Sequence, residues 1–105
     1  MANWKKYRLA EVCTKIGSGA TPRGGDAAYK TFGISLIRSQ NVLDFIFSFD
    51  GLAFIDEAQA KELANVEIKE RDVLINITGD SVARVCQPPG NILPARVNQH
   101  VSILR

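Results

Sequence analysis

A mainly β, or α+β, fold is what this sequence predicts. Three observations carry the prediction: many short runs of β-prone residues, turn chemistry between them, and helical signals at only one or two places. With 105 residues, 46% hydrophobic and 23% charged, the chain has the size and composition of one globular domain over 1–105. That composition excludes a disordered tail, a collagen-like repeat and a disulfide scaffold. No apolar run reaches the roughly 18 residues that span a bilayer. The start, with Trp4, Lys5, Lys6, Tyr7 and Arg8, lacks the apolar stretch and cleavage site of a signal peptide. A cytoplasmic location without membrane association is therefore expected, with Cys13 and Cys86 as buried thiols rather than a bridge.

In chain order, Leu9 to Cys13 suits one helical turn and Thr14 to Ile16 a short strand. Gly17 to Gly25 (GSGATPRGG) is a glycine-dense loop in which Gly17, Gly19, Thr21 and Pro22 are expected to shape a turn. Gly33 to Arg38 mixes Ile34, Leu36 and Ile37 over both sides, as a strand buried on both faces does. Val42 to Phe49 sets Leu43, Phe45, Phe47 and Phe49 against Asp44 and Ser48, and Asp50-Gly51 then precedes Leu52 to Ile55. An Asp-Gly pair between β-prone runs predicts a hairpin, because a type I′ turn needs positive φ at both central residues. A helix is predicted over Glu57 to Ala64: Asp56 is the N-cap, Gln59 completes a capping box, Ile55 and Ala60 form a hydrophobic staple, and Ala60, Leu63 and Ala64 face inward.

Beyond the polar turn Lys69 to Asp72, Val73, Ile75 and Ile77 alternate with Asn76 and Thr78. A tight turn at Gly79-Asp80-Ser81, with Gly79 as its structural residue, leads into a strand from Val82 to Cys86. Pro88 to Pro94 cannot be a central strand. Val97, Gln99, Val101 and Ile103 define a last strand that runs into Arg105, and an ending in mid-pattern points to a fragment of a larger protein.

The formal net charge is only +2, but it is unevenly spread. Residues 1–40 hold seven Lys/Arg against Glu11 and Asp26, a net of +5; residues 41–72 hold three cations against eight anions, a net of −5. Such asymmetry suits a face that meets a polyanion with the acidic stretch, including the Asp56 to Ala64 helix, turned away; an ordinary solvated surface gives the same counts.

No motif in the chain supports catalysis. The glycine loop lacks the Gly-Lys-Ser/Thr of a phosphate-binding loop and has Pro22 where a dinucleotide fingerprint needs glycine. Gln87-Pro88-Pro89-Gly90 lacks the aromatic with which an amino-methyltransferase loop stacks an extruded base. Glu67-Ile68-Lys69 has the spacing of a nuclease metal site but no preceding Pro-Asp pair, and is expected as a strand end. His100, the sole histidine, has no cysteine near it in sequence.

What remains is polar side chains in turns beside strands: Arg38-Ser39-Gln40-Asn41, Thr78-Gly79-Asp80-Ser81 and Asn98-Gln99. Arg, Asn and Gln read base edges bidentately, and Ser and Thr reach phosphates, although turn chemistry explains the same residues. Trp4, Arg8-Leu9-Ala10-Glu11-Val12, Gly19-Ala20-Thr21-Pro22, Gly33-Ile34, Ile37-Arg38, Asn41-Val42, Asp72-Val73-Leu74, Thr78-Gly79-Asp80-Ser81 and Asn98-Gln99 before an apolar strand follow one another in an order that resembles the target recognition domain of a type I restriction–modification specificity subunit. The resemblance runs from Trp4 to Arg105.

It implies a non-catalytic, DNA-reading subunit that binds double-stranded DNA. Methylation subunits carrying S-adenosylmethionine and nuclease subunits using ATP and magnesium are the implied partners, with a second recognition domain or a second copy of the chain as another. No cofactor or metal is expected in this chain. The implied fold is a β-helix-like, curved assembly of short strands followed by an α-hairpin, which this sequence lacks together with the spacer helix and second domain, as a truncated product does. The DNA contacts expected are Arg23, Lys30, Arg38, Ser39, Gln40, Asn41, Thr78, Asp80, Ser81, Arg84, Asn98 and Gln99. A protein-interaction fragment that pairs with other subunits without useful DNA binding is the alternative, separated from the first by salt-dependent DNA binding.

Overall fold

Short strands separated by turns cannot bury a face alone. In the computed structural model, which describes residues 4–105 apart from the Asp26 side chain, they gather into two small sheets. The strands are β1 (Ile16–Ser18), β2 (Ile34–Ile37), β3 (Ala53–Ile55), β4 (Val73–Asn76), β5 (Val85–Cys86), β6 (Ala95–Val97) and β7 (Val101–Leu104). One sheet has the order β1-β7-β4-β5 and is antiparallel throughout; the other, β3-β2-β6, pairs β2 antiparallel with β3 and parallel with β6. Neither sheet closes into a barrel. With the helices α1 (Leu9–Val12) and α2 (Glu57–Glu62) the domain is α+β and mainly β. One core, including Leu36, Ile37, Ile55, Leu74, Val97 and Ile103, lies between the sheets and α2.

Helix α2 begins as its sequence dictates. Asp56 Oδ1 accepts from the Gln59 N–H at 2.8 Å, Gln59 Oε1 accepts from the Asp56 N–H at 2.9 Å, and Ile55 and Ala60 are both buried. It ends two residues short of Ala64. A tighter turn over Ala64–Val66 carries Val66 into the core and leaves Ala64 at the surface, so the inward stripe is Ala60, Leu63 and Val66.

Other elements depart from expectation for identifiable reasons. The first strand is Ile16–Ser18 rather than 14–16, which places Gly17 in a strand opposite Ile103 and not in the turn. Asp50-Gly51 does turn, with φ of 66° at Gly51, but β3 pairs with β2 instead of the 42–49 run. That run is a looped excursion: Phe45 takes φ of 63°, Val42 and Phe47 meet in a lone bridge, and Phe47 packs on the core while Phe45 is 84% exposed.

In β4 the polar side of the alternation is the buried one. Leu74 and Asn76 are buried, Val73 and Ile75 are half-buried, and Ile77 is exposed, because the Asn76 amide is taken up by the loops behind the strand. Residues 82–84 turn rather than extend, with Ala83 at φ of 73°, so β5 is only two residues long. The predicted last strand is split at Asn98 between β6 and β7, which belong to different sheets. Of the two thiols, Cys86 is buried but Cys13 is only half-buried.

Candidate nucleic-acid interface

The split at Asn98 builds the site. The Asn98 N–H donates to Ile37 O at 3.0 Å, and Asn98 O accepts from the Gly19 N–H at 3.0 Å, so the ends of β1, β2 and β6 meet at one residue. Asn76, at the end of β4, joins them from the other sheet: its Nδ2 lies within 3.0–3.1 Å of Ser39 O, Val42 O and Ser81 Oγ. His100 closes the ring, accepting from the Ile77 N–H through its carbonyl and sharing a hydrogen bond between Nδ1 and Thr78 Oγ1. Thr21 Oγ1 donates to Gln99 Oε1 at 2.6 Å. Segments 19–21, 38–41, 77–81 and 98–100, scattered in sequence, thus converge at one end of the domain.

Within this cluster the side chains divide into scaffold and surface. Asn41 is fully buried: its Oδ1 accepts from the Arg38 N–H at 3.0 Å, and its Nδ2 donates to Ser48 O at 2.9 Å and Asp50 O at 3.2 Å. Asn98 is buried and its Oδ1 accepts from the His100 N–H at 3.0 Å. The Asn41 amide is thus wholly engaged within the protein, whereas Asn98 is engaged through Oδ1 alone. Arg38 is half-buried, with its guanidinium donating to Gly51 O and stacked 5.1 Å from the centre of the Tyr29 ring. Ser39 and Ser81 are half-buried and serve Asn76. Gln40, Thr78, Asp80, Arg84 and Gln99 are exposed and make up the outward polar surface.

Charge placement is mixed. Arg84 lies three residues after Ser81, its N–H donating to Ser81 O at 3.1 Å, and among the described residues neither Arg38 nor Arg84 is paired with a carboxylate. Arg23 is exposed and lines a shallow cleft with Thr21, Pro22, Gln59 and Glu62, beside the cluster and against α2. Lys30 lies elsewhere, its Nζ 3.9 Å from Asp56 at the cap of α2. The acidic stretch is not wholly turned away, because the loop carrying Asp44 and Asp50 folds back on Arg38–Asn41.

The glycine loop contributes by fit. A Cβ at Gly19 stands 2.0 Å from Val97 O, which only glycine avoids, whereas Gly17 has no contact nearer than 3.8 Å. Gly79 adopts φ of 74°, the left-handed region, at the tip of the 78–81 turn. Pro22 O accepts from the Gly25 N–H at 3.1 Å and shapes the same loop. Asn76, His100 and Tyr29 were not among the residues singled out for the site. The signal for Asn76 was present: an asparagine inside Val73-Leu74-Ile75-Asn76-Ile77 is a polar group in a run destined for burial, where an unpaired amide is costly. Elsewhere, Glu67 lies 3.6 Å from Arg96 in an ion pair and Gln87 Nε2 donates to Arg71 O at 3.2 Å. In comparisons with known proteins, no protein-family model and no curated protein matches this chain.

Proposed function

We propose that this chain is a DNA target recognition module of a type I restriction–modification specificity subunit, directing methylation and cleavage by partner subunits without catalysis of its own. The observation that carries the reading is the convergence of Arg38–Asn41, Thr78–Ser81 and Asn98–His100 on one end of the two sheets, the first two tied by the Asn76 amide and the third by backbone bonds to Ile37 and Ile77. Strand ends that present Gln40, Gln99, Thr78 and Arg84 outward offer both base-edge and phosphate contacts. The order of sequence pieces described above supports the same assignment, and with it a cytoplasmic setting, the β-helix-like strand assembly, and S-adenosylmethionine, ATP and magnesium in the partner subunits.

The test is fluorescence anisotropy of a labelled duplex titrated with folded protein at several salt concentrations. Binding should be weak and electrostatic, with log K falling linearly on log salt at a slope of about −0.9 for each phosphate neutralised. A folded chain that binds no duplex at the lowest salt overturns the reading. A second reading, an interaction fragment that pairs with other subunits, is favoured by the exposed Phe45, Ile46 and Val82, and that outcome selects it.

A further inference from the structure

Two features lack a partner among the described residues. The first is the segment that enters β1: Trp4 is 88% exposed, Tyr7, Leu9 and Val12 are exposed too, and none of the residues of α1 is buried. Scattered single apolar residues are normal on a surface, but a contiguous group of this kind marks an interaction site. Lys5, Lys6 and Arg8 are interleaved with it. The second feature is an open cavity of about 750 Å³ lined by Tyr29, Ile34, Ile55 and Pro94, with Phe32 at its lip, 81% exposed. Asp56 and Glu57 stand on its rim, and Lys30 sits 3.9 Å from Asp56, whereas Glu57 forms no ion pair among the described residues.

The two features complement each other. The cavity falls within the size range of sites that enclose a small ligand or a large side chain. An aromatic anchor in an apolar pocket with a polar rim is the arrangement that concentrates binding energy in protein interfaces. We propose that the cavity of one copy of this chain receives the N-terminal arm of a second copy, with the Trp4 ring against Tyr29, Ile34 and Pro94 and with Lys5 and Lys6 facing Glu57 and Asp56. Exchange of both arms gives a closed two-fold dimer with two identical contacts.

Position favours this arrangement. The arm enters β1 at Ile16, opposite Leu104, whereas the polar loops leave β1 beyond Ser18. The cavity adjoins the starts of β2 and β6, whose ends lead to Arg38 and Asn98. Both features therefore lie at the opposite ends of these strands from the polar loops, and docking meets the candidate interface only at Tyr29, whose ring carries the Arg38 guanidinium on it. The inference stands independently of the DNA-reading proposal.

Trp4 is the chain's only tryptophan, so its emission reports the contact directly. Sedimentation equilibrium and Trp4 fluorescence are measured together over a rising concentration series of the full chain, without DNA. The expected result is a mass rising from 11.5 kDa toward twice that value, with a parallel blue shift of Trp4 emission. Glu57→Lys and the double substitution Lys5→Glu, Lys6→Glu should each abolish both changes while melting normally, since all three residues are exposed. Phe32→Ala should do the same without a change of charge. Mixing the two charge variants should restore association, because each supplies the complement the other has lost; Asp56 is left intact because it caps α2. A constant 11.5 kDa, a mass increase without a Trp4 shift, or association that persists in both charge variants overturns the proposal. So does a Trp4 shift seen only on adding anionic vesicles or duplex DNA, which assigns the arm to those partners instead.

Discussion

Asn41 spends its entire amide inside the protein, holding Arg38, Ser48 and Asp50 in one turn. Removing it leaves the half-buried Ser48 carbonyl without this donor and the Arg38 N–H without this acceptor, while exposed Asp50 O keeps Gln40 Nε2, and each orphaned buried polar group costs about 1 to 3 kcal/mol. Asn41→Ala should therefore lower the melting temperature, by roughly 4 to 8 °C for each kcal/mol lost in a domain of this size. An unchanged melt with reduced DNA affinity would instead make Asn41 a direct reader. Glycines offer a matched pair at the same scale. Gly19→Ala forces a methyl against Val97 O, where the contact is backbone and cannot swing aside, while Gly17→Ala meets nothing closer than 3.8 Å. Thermal melts should show a marked loss for Gly19→Ala and little change for Gly17→Ala; equal melts remove the packing argument. Arg38 also belongs to the scaffold in part, since its guanidinium holds Gly51 O and covers Tyr29.

At the scale of elements, the end of β7 is fastened by an ion pair. Arg105 Nε and Nη2 donate to the two oxygens of Asp72 at 2.8 Å each, and Asp72 Oδ2 also accepts from the Lys69 N–H at 2.8 Å. Asp72 is 1% exposed on its side chain and Arg105 29%. Burial acts to raise the Asp72 pKa, but the Arg105 hydrogen bonds, the Lys69 N–H and the charges of Arg105 and Lys69 outweigh it and hold the carboxyl below its ordinary value of 3.8. A folded-state pKa below the unfolded one adds stability that is complete above about pH 4 and disappears as pH falls through the folded value. Wild-type melting temperature should thus drop as pH is lowered from about 5 to about 2. Asp72→Asn should be less stable at neutral pH by about 3 kcal/mol or less, since Arg105 keeps partial access to water, and should show a flatter acid limb. Equal acid limbs would mean that other carboxylates dominate. Helix α2 was legible because its capping box is local, written in Asp56 and Gln59 alone. The hairpin after Val42 was not: Asp50-Gly51 fixes a turn but cannot say that β3 will prefer β2, a choice made by burial of Ile55 and Ala53 against Ile34 and Leu36. Nor does the alternation of Val73, Ile75 and Ile77 with Asn76 show which face of β4 turns inward, because Asn76 is drawn inside by loops distant in sequence.

Across the whole molecule, residue type identified most of the polar turns, but their convergence depends on topology that no local pattern carries. Asn98 was visible as a polar start to an apolar strand; that it would separate two sheets and tie β1 to β2 was not. Lys30 shows the converse, a cation in the basic first third that the fold delivers to Asp56 instead of the loop cluster. These placements turn the DNA proposal into a sharper comparison than the sequence permitted. Arg84 is exposed beside Ser81, with no partner carboxylate among the described residues, and suits a phosphate. Gln99 is exposed and held by Thr21 through Oε1, and among the described residues its Nε2 has no partner, which leaves it donors for a base edge. Arg84→Ala should therefore weaken duplex binding evenly across sequences and reduce the salt slope by about one unit. Gln99→Ala, placed in a complete specificity subunit, should leave the salt slope alone and relax preference at one base pair by about 1 to 3 kcal/mol if the contact is bidentate. Lys61→Ala, on α2 and outside the converging segments, serves as the control and should alter neither. The measurement is a salt titration of affinity for a target and a scrambled duplex with each variant, after melts confirm folding. If Lys61→Ala lowers affinity as much as Arg84→Ala, charge alone governs binding and the loop cluster is not the reading surface.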